Sequence, residues 1–493
     1  MSKTISQQQL EQYLWGAAVL LRGVIDPGEY KSIIFPLMFF KRISDVYDEE
    51  YQAALVEYGG EKEYAEFKEN HRFQLPTNTH WDDVRTVSTD VGRAIKNAMS
   101  EIEKANPDRL AGIFGDTNWT NKNRLTDKIL IDLIEHFSTI KLTLKNVPQD
   151  EFGTSYEYLI KQFADDSGHT AAEFYTNRTV VRLMSLIVDP KPEESIYDPT
   201  CGSGGMLLNA ALLVKERGQE HRNISLYGQE INLITSAIAR MNMFLHGFED
   251  FHVVRGDTLS NPAFTEDDRV KQFDIVIANP PYSIKQWNRN SWQHDPWGRN
   301  IYGTPSQGCA DYAFFQHIIS SLKEDTGRCA ILWPHGVLFR DAELEMRKQL
   351  IESDIVDCVI GLGANLFYNS GMEACVVVCS KNKPDERKGK VLFINGLEQV
   401  IEEKQMAFLS DKNIKTLFGL YNGYENVHRL SHVATLDEIK DKDYSLNVPL
   451  YVEKYDLGEI EESIQELIIQ WDKSSSDVKQ HTTELFSILK EVI

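Results

Sequence analysis

From about residue 150 onward the chain alternates short apolar runs with amphipathic helical stretches, and this alternation leaves few folds open. The runs Ser195–Tyr197, Ser225–Tyr227, His252–Arg255, Asp274–Ala278, Cys329–Leu332, Val356–Ile360 and Ala374–Ser380 have strand length, and helical periodicity fills most of the intervals. Parallel strands need long crossover connections, and helices supply them. The pattern therefore predicts an α/β fold built on a doubly wound, mostly parallel sheet. Residues 1–148 read as an N-terminal helical domain and 149–455 as the sheet-bearing domain. Residues 456–493 read as a C-terminal helical tail.

Two amphipathic series support the first assignment. Leu10, Tyr13, Leu14, Ala17, Ala18 and Leu21 recur at helical spacing, as do Ile33, Leu37, Phe40 and Ile43, with the turn Asp26-Pro27-Gly28 between them. In the tail, Ile460, Ile464, Leu467, Trp471, Ser474, Val478, His481, Leu485, Ile488 and Val492 step alternately by four and three. This is a heptad seam, interrupted at Ser474 and His481, of the kind that docks on a partner helix. It is either one helix or two joined at Ser474-Ser475-Ser476.

Composition narrows the class further. At 42% hydrophobic content, 493 residues can bury a large core. The longest strongly apolar run, Ile33–Phe40, is too short to cross a bilayer, and the N-terminus lacks a signal-peptide core. Together these indicate no membrane role; six scattered cysteines show neither metal-ligand spacing nor a disulfide framework, which indicates a reducing cytoplasm and no bound metal. Lys and Arg number 52 against 74 Asp and Glu, a net charge of −22. Such a chain repels nucleic acid at long range, so it binds none at all, binds through a basic cleft on an acidic body, or borrows DNA affinity from a partner.

The chemistry-bearing motifs lie at predicted strand ends. Asp198-Pro199-Thr200-Cys201-Gly202-Ser203-Gly204-Gly205 follows the first strand and opens a helix. Glycines there let a ligand approach the backbone, and the strand-end carboxylate suits the ammonium and sulfonium side of S-adenosylmethionine better than a pyrophosphate. Glu230 ends the second strand and can accept two ribose hydroxyls; Asp257 ends the third and can accept an adenine amine. Asn279-Pro280-Pro281-Tyr282 follows the fourth strand. An exocyclic amine is a poor nucleophile because its lone pair is delocalised. Accepting both its N–H bonds at the Asn279 amide oxygen and the Pro280 carbonyl would free that pair for attack on a methyl group. The prolines stiffen the acceptors, and Tyr282 offers a face for a flipped base. The basic and aromatic stretch Lys285, Trp287, Arg289, Trp292, Trp297, Arg299 and Tyr302 is a candidate DNA contact.

With Glu173-Phe174-Tyr175-Thr176 upstream of these motifs, the order resembles that of amino-methyltransferases whose cofactor loop precedes the target loop. Over residues 10 to 460 the chain resembles the modification subunit of type I restriction–modification systems. The likeness includes Leu21-Arg22-Gly23 through Phe40-Lys41-Arg42-Ile43, the stretch Phe152-Gly153-Thr154-Ser155-Tyr156-Glu157-Tyr158-Leu159-Ile160, and segments 327–340 and 365–381. The resemblance implies a Rossmann-like methyltransferase sheet and methylation of the adenine N6 amine in double-stranded DNA, with the target base flipped out. It assigns cofactor contacts to Glu173, Phe174, Tyr175, Thr176, Asn177 and Arg178, with Tyr175 and Thr176 at the methionine end. It adds Asp198, Thr200, Cys201, Gly202, Ser203, Gly204, Glu230 and Asp257, and assigns catalysis to Asn279, Pro280, Pro281 and Tyr282. Asn177 stands where the family usually has proline. Partners implied are a specificity subunit, with two copies of this chain to each, and a restriction–translocation subunit. The 112 residues after Lys381 carry 14 Lys and Arg against 21 Asp and Glu, too short and acidic for a DNA-reading domain. Two alternatives stay open on the motifs alone: a protein-glutamine methyltransferase, and a catalytically silent scaffold.

Overall fold

A computed structural model describes residues 5–166, 176–366, 372–401 and 407–453, with residues 471, 474–476, 478–479 and 481–482 of the tail. It comprises two compact units, Met1–Val452 and Glu453–Ile493.

In the first unit the strands, in chain order, are β1 (Ser195–Asp198), β2 (Ser225–Glu230), β3 (Phe251–Arg255), the hairpin β4 (Thr265–Glu266) and β5 (Arg269–Val270), β6 (Ile275–Ala278), β7 (Arg328–Pro334), β8 (Val356–Leu362), β9 (Ala374–Ser380), β10 (Lys390–Gly396) and β11 (Ser431–Thr435). Among the described residues nine of them form one sheet, in the order β11-β10-β8-β9-β7-β6-β1-β2-β3, with the hairpin apart. From β3 through β7 every pairing is parallel; β9 runs antiparallel between β7 and β8, and β11 closes the edge antiparallel to β10. All seven strands expected from sequence are present. The sequence reading missed β10, β11 and the short hairpin β4–β5. The edge strand β11 has little apolar content and half-exposed positions, so its register comes from pairing with β10.

The chain leaves β1 toward β2 and β3, then returns to build β6 and β7 on the other side. The strand order reverses between β1 and β6, and open α/β sheets bind ligands in the crevice above that point. Asp198 ends β1 and Asn279 directly follows β6. Both faces of the sheet are covered, which is why β6 is an unbroken apolar run and β8 is buried along its whole length. One face carries the helices Arg178–Val188, Gly205–Glu216 and Asp411–Gly423, packed on Ile196, Ile275 and Ile277. On the other, Asp311–Ser320 and Leu344–Glu352 pack on Tyr197, Val276 and Trp333.

The N-terminal 148 residues are helical among those described. Helix Gln7–Leu21 begins at a capping box between Ser6 and Gln9. Asp26-Pro27-Gly28 makes the expected turn, with Gly28 N–H donating to Asp26 Oδ1 (2.8 Å). Helix Tyr30–Glu57 follows and runs through Pro36 in its second turn. Phe35, Phe39, Phe40, Trp81 and Phe137 share one core with Tyr156, Ile238, Met241 and Leu245. The helix Leu233–Leu245, which connects β2 to β3, is thereby buried on its N-terminal-domain side as well.

In the second unit Trp471, Ser474-Ser475-Ser476 and Val478 are helical. The seam positions Trp471 and Val478 are 69% and 64% exposed. Seam positions Ile460, Ile464, Leu467, Leu485, Ile488 and Val492 lie outside the described residues.

Asp274, just before β6, ties the central strands together. It accepts from Ser195 N–H (2.9 Å) and Oγ (2.8 Å), Lys323 Nζ (2.8 Å) and Thr326 Oγ1 (2.7 Å). Burial alone would raise its pKa, but these donors hold the carboxyl well below the usual range. A depressed folded-state pKa stabilises the fold above the unfolded value near ~3.9 and ceases to do so as pH falls further. Asp274→Asn should therefore lower the urea midpoint at pH 7, and the gap from wild type should narrow below about pH 4.

Candidate active site

The turn after β1 needs its glycines: Gly202 and Gly204 have φ of +53° and +78°. Asp198 is buried beneath it and accepts from the Thr200 N–H (3.0 Å) and hydroxyl (3.5 Å). Burial is the largest cause that pushes its carboxyl up to about 7; the Thr200 N–H lowers it and the nearby Glu230 raises it again. Glu230, from the end of β2, accepts the N–H of Gly202 (3.1 Å) at one oxygen and that of Asn232 (2.8 Å) at the other. Cys201 N–H donates to Gln229 O (2.9 Å), and its thiol packs on Gly228, where a Cβ would come within 2.9 Å of Sγ. The Ser203 carbonyl accepts from Asn242 Nδ2 (3.1 Å). Asp257 accepts from Leu259 N–H (3.0 Å), Ser260 N–H (3.3 Å) and Ser260 Oγ (2.8 Å), so its side chain shapes the loop after β3.

Across the crevice, Asn279 is half-buried and held on both sides. Its Nδ2 donates to Thr176 Oγ1 (3.1 Å), and its Oδ1 accepts from the Tyr282 hydroxyl (2.6 Å). Desolvation raises the Tyr282 phenol well above its ordinary value, so it stays a donor. The next residue, Ser283, is left-handed (φ +50°), and its N–H donates to the buried Asp311 (2.7 Å). Asp311 is in turn paired with Arg340 (2.5 Å), which also reaches Glu343 (2.9 Å). Cys309, Asp311 and Glu343 are close enough together to be considered for a metal. The Arg340 guanidinium already pairs with both carboxylates, so the cluster reads as an ion-pair brace for the target loop.

A single cavity of about 310 Å³ joins the two halves. Thr200, Glu230, Asp257 and Asn279 through Tyr282 line it. Asp198, Cys201, Gly202, Ser203 and Gly204 lie behind or beneath that lining rather than on it, and Thr176 touches the site through Asn279. Asn177 caps the helix Arg178–Val188 by accepting from the Thr179 N–H (3.0 Å), and its Nδ2 donates to Ala407 O (2.7 Å). Arg178 is ion-paired with Glu157 and occupies the space a Cβ on Gly205 would need. The side chains of Asn177 and Arg178, both expected at the cofactor, thus make structural contacts at the start of this helix. Glu173, Phe174 and Tyr175 lie outside the described residues.

Sequence reading overlooked the apolar walls Ile231, Leu259, Ile284, Phe314 and Met372. Ile231 gave a signal, an apolar residue directly after the strand-end acid, and it is 64% exposed. Lys31 of the N-terminal helical region was also missed. Burial lowers its pKa while Glu230 raises it, which places it in the electrostatic reach of that carboxylate.

The expected basic and aromatic DNA contact is corrected in part. Arg299 and Trp292 are buried. Arg299 pairs with Asp295 (2.6 Å), donates to the carbonyls of Thr258 and Leu259 (both 2.8 Å), and lies between the rings of Trp292 and Trp297. It thus joins the loop after Tyr282 to the loop after β3. Arg289 donates to Pro305 O (2.8 Å), and Lys285 is exposed.

Acidic strand ends around a reversal point, a tight glycine turn and an Asn-Pro-Pro-Tyr acceptor loop define a class: S-adenosylmethionine-using amino-methyltransferases. The comparisons name the family. Residues 147–459 match the N-6 DNA Methylase model, and residues 10–137 match the HsdM N-terminal domain. The type I restriction enzyme MjaVIII methylase subunit of Methanocaldococcus jannaschii is 31% identical over 99% of this chain and 86% of its own length. The MjaVII methylase subunit of the same organism is 31% identical over 92% and 79%. The crystal structure of a type I restriction–modification methyltransferase subunit from Streptococcus thermophilus superposes with a TM-score of 0.79 at 29% identity, over 91% of this chain and all of that one. This chain belongs to the N-6 DNA methylase family.

Because Arg299 is buried in an ion pair, Arg299→Ala should cost about 3–5 kcal/mol by leaving Asp295 uncompensated. Lys285→Ala should leave stability unchanged. Urea denaturation of the two variants distinguishes a structural arginine from a DNA contact.

Proposed function

We propose that the cavity binds S-adenosylmethionine beside a flipped adenine, and that the chain methylates the N6 amine of that adenine in double-stranded DNA. The observation that carries this reading is Asn279 facing the same cavity as Glu230 and Asp257. No Lys or Arg lines the cavity among the described residues, and two carboxylates do, so the residues present fit a cationic nucleoside and not a polyphosphate. The bound cofactor would supply an electrophilic methyl group on a sulfonium centre. Glu230, on the cavity wall at the end of β2, would accept ribose hydroxyls. Ile231 and Leu259 offer apolar faces for an adenine ring, with Asp257 at its edge. Asn279 Oδ1 and the Pro280 carbonyl accept the target amine's N–H bonds, directing the nitrogen lone pair at the methyl group. Neither acceptor titrates, so the amine sheds its surplus proton to water. Tyr282, Trp287 and Phe314 supply aromatic surface for the flipped base.

The whole-length match to type I methylase subunits, including the N-terminal domain, favours the modification subunit over the protein-glutamine alternative, whose resemblance covers only the cofactor and target loops. Intact Glu230, Asn279 and Tyr282 argue against a silent scaffold. Sequence recognition would come from a specificity subunit shared by two copies of this chain, and a restriction–translocation subunit would complete the assembly. The net charge of −22 agrees with DNA affinity that is largely borrowed.

Asn279→Ala should cut methyl transfer by ~10²–10³ while calorimetry shows near-normal cofactor affinity. Wild-type turnover by this variant would refute the mechanism. Asp198 gives a second check. With its carboxyl near 7, a cationic ligand binds the ionised form better, so cofactor affinity should rise from pH 6 to pH 8 and then level off. Asp198→Asn should remove that slope. For the tail, Trp471→Asp with Val478→Asp should leave cofactor binding intact and abolish co-purification with a specificity subunit; an unaltered complex would move the docking surface elsewhere.

A further inference from the structure

The amide at the centre of the site can face two ways, and only one serves catalysis. With Oδ1 toward the target, Asn279 accepts from the amine; reversed, it would present N–H donors to another N–H donor. Tyr282 donates to Oδ1 (2.6 Å) and Thr176 accepts from Nδ2 (3.1 Å). A phenol is the better donor of these two hydroxyls, and an aliphatic hydroxyl the better acceptor, so this pairing favours the orientation seen. We propose that Thr176 is a positioning residue for methyl transfer: by accepting from Nδ2 it keeps the Asn279 amide oxygen presented to the target amine. The proposal rests on the adenine methyltransferase reading above.

The two hydroxyls differ in permanence. Tyr282 must give up its bond to Oδ1 if its ring turns to stack on a base. Thr176 is followed immediately by two anchored residues. Asn177 is fixed by its cap and by Ala407 O. Arg178 is fixed by Glu157, whose carboxylate also accepts from Asn242 Nδ2 (2.6 Å). Asn242 Nδ2 donates as well to the Ser203 carbonyl in the glycine turn (3.1 Å). The stretch Phe152–Ile160, to which the cofactor and target motifs assign no role, thus acquires one. Its Glu157 anchors both the segment that carries Thr176 and, through Asn242, the turn after β1. Gly153 in the same stretch leaves room for His246, whose ring would come within 2.6 Å of a Cβ there. A hydrogen bond held by such a frame orients its partner without reorganisation during the reaction.

Thr176→Val keeps the side-chain shape and removes the acceptor, whereas Thr176→Ser keeps the hydroxyl. The full-length chain, purified with the subunits it is co-expressed with, is assayed for cofactor affinity by calorimetry. Single-turnover transfer of labelled methyl to unmethylated DNA is then followed at saturating S-adenosylmethionine. The expected result is a rate lowered about tenfold or more in Thr176→Val and within about twofold of wild type in Thr176→Ser. Full recovery of the Val variant at saturating cofactor overturns the proposal, since Thr176 would then act on cofactor binding alone. So does a Ser variant as slow as the Val variant. Thr176→Ala provides the same comparison if the Val variant melts below the assay temperature. An unsubstituted enzyme that methylates no adenine overturns the functional reading as well, and that control separates the two failures.

Discussion

The pairing of β1 with β6 is the constraint on which the rest of the molecule depends. These strands lie side by side because the chain reverses its direction of sheet growth there, and their parallel register sets Ile196 opposite Ile275 and Tyr197 opposite Val276. That register brings the glycine turn and the acceptor loop to the same edge at the same height. Asp274 secures the pairing from the opposite end, binding Ser195 of β1 and the turn before β7. The cavity-lining acids and the acceptor loop are brought to this edge by successive strand ends, and Thr176 and Tyr282 then hold Asn279 from either side.

Electrostatics follows from this geometry. The crevice gathers Asp198, Glu230 and Asp257, and the protein leaves Asp198 partly protonated near neutral pH because burial outweighs its Thr200 hydrogen bonds. The acceptor loop across from them is uncharged. An acidic half beside a neutral, hydrogen-bond-accepting half suits a cation donating a methyl group to a neutral amine.

Much of this was legible in the sequence because it is local. Strand ends announce themselves by composition, and Asn279-Pro280-Pro281-Tyr282 carries its chemistry in four consecutive residues. What escaped was non-local. Edge strand β11 has little apolar pattern and is defined by its partner. Arg299, a basic residue among aromatics, looked like a DNA contact until its carboxylate Asp295 and two carbonyls were seen to enclose it. Asn177 looked like a loosened cofactor loop, whereas it caps a helix and holds Ala407, residues with no sequence proximity. The apolar walls of the cavity are scattered from Ile231 to Met372 and make sense only when assembled.

Helix Leu233–Leu245 has two clients. It bridges β2 and β3, as a crossover in a sheet of this kind must, and it also contributes Ala237, Ile238, Met241 and Leu245 to the core of the N-terminal helices. A chain severed near residue 149 would leave that apolar side bare to water. The smallest self-sufficient catalytic body thus begins at the first helix and not at the first strand. The N-terminal helices are therefore less an appended module than the second wall of a core whose first wall is the sheet's own crossover helix.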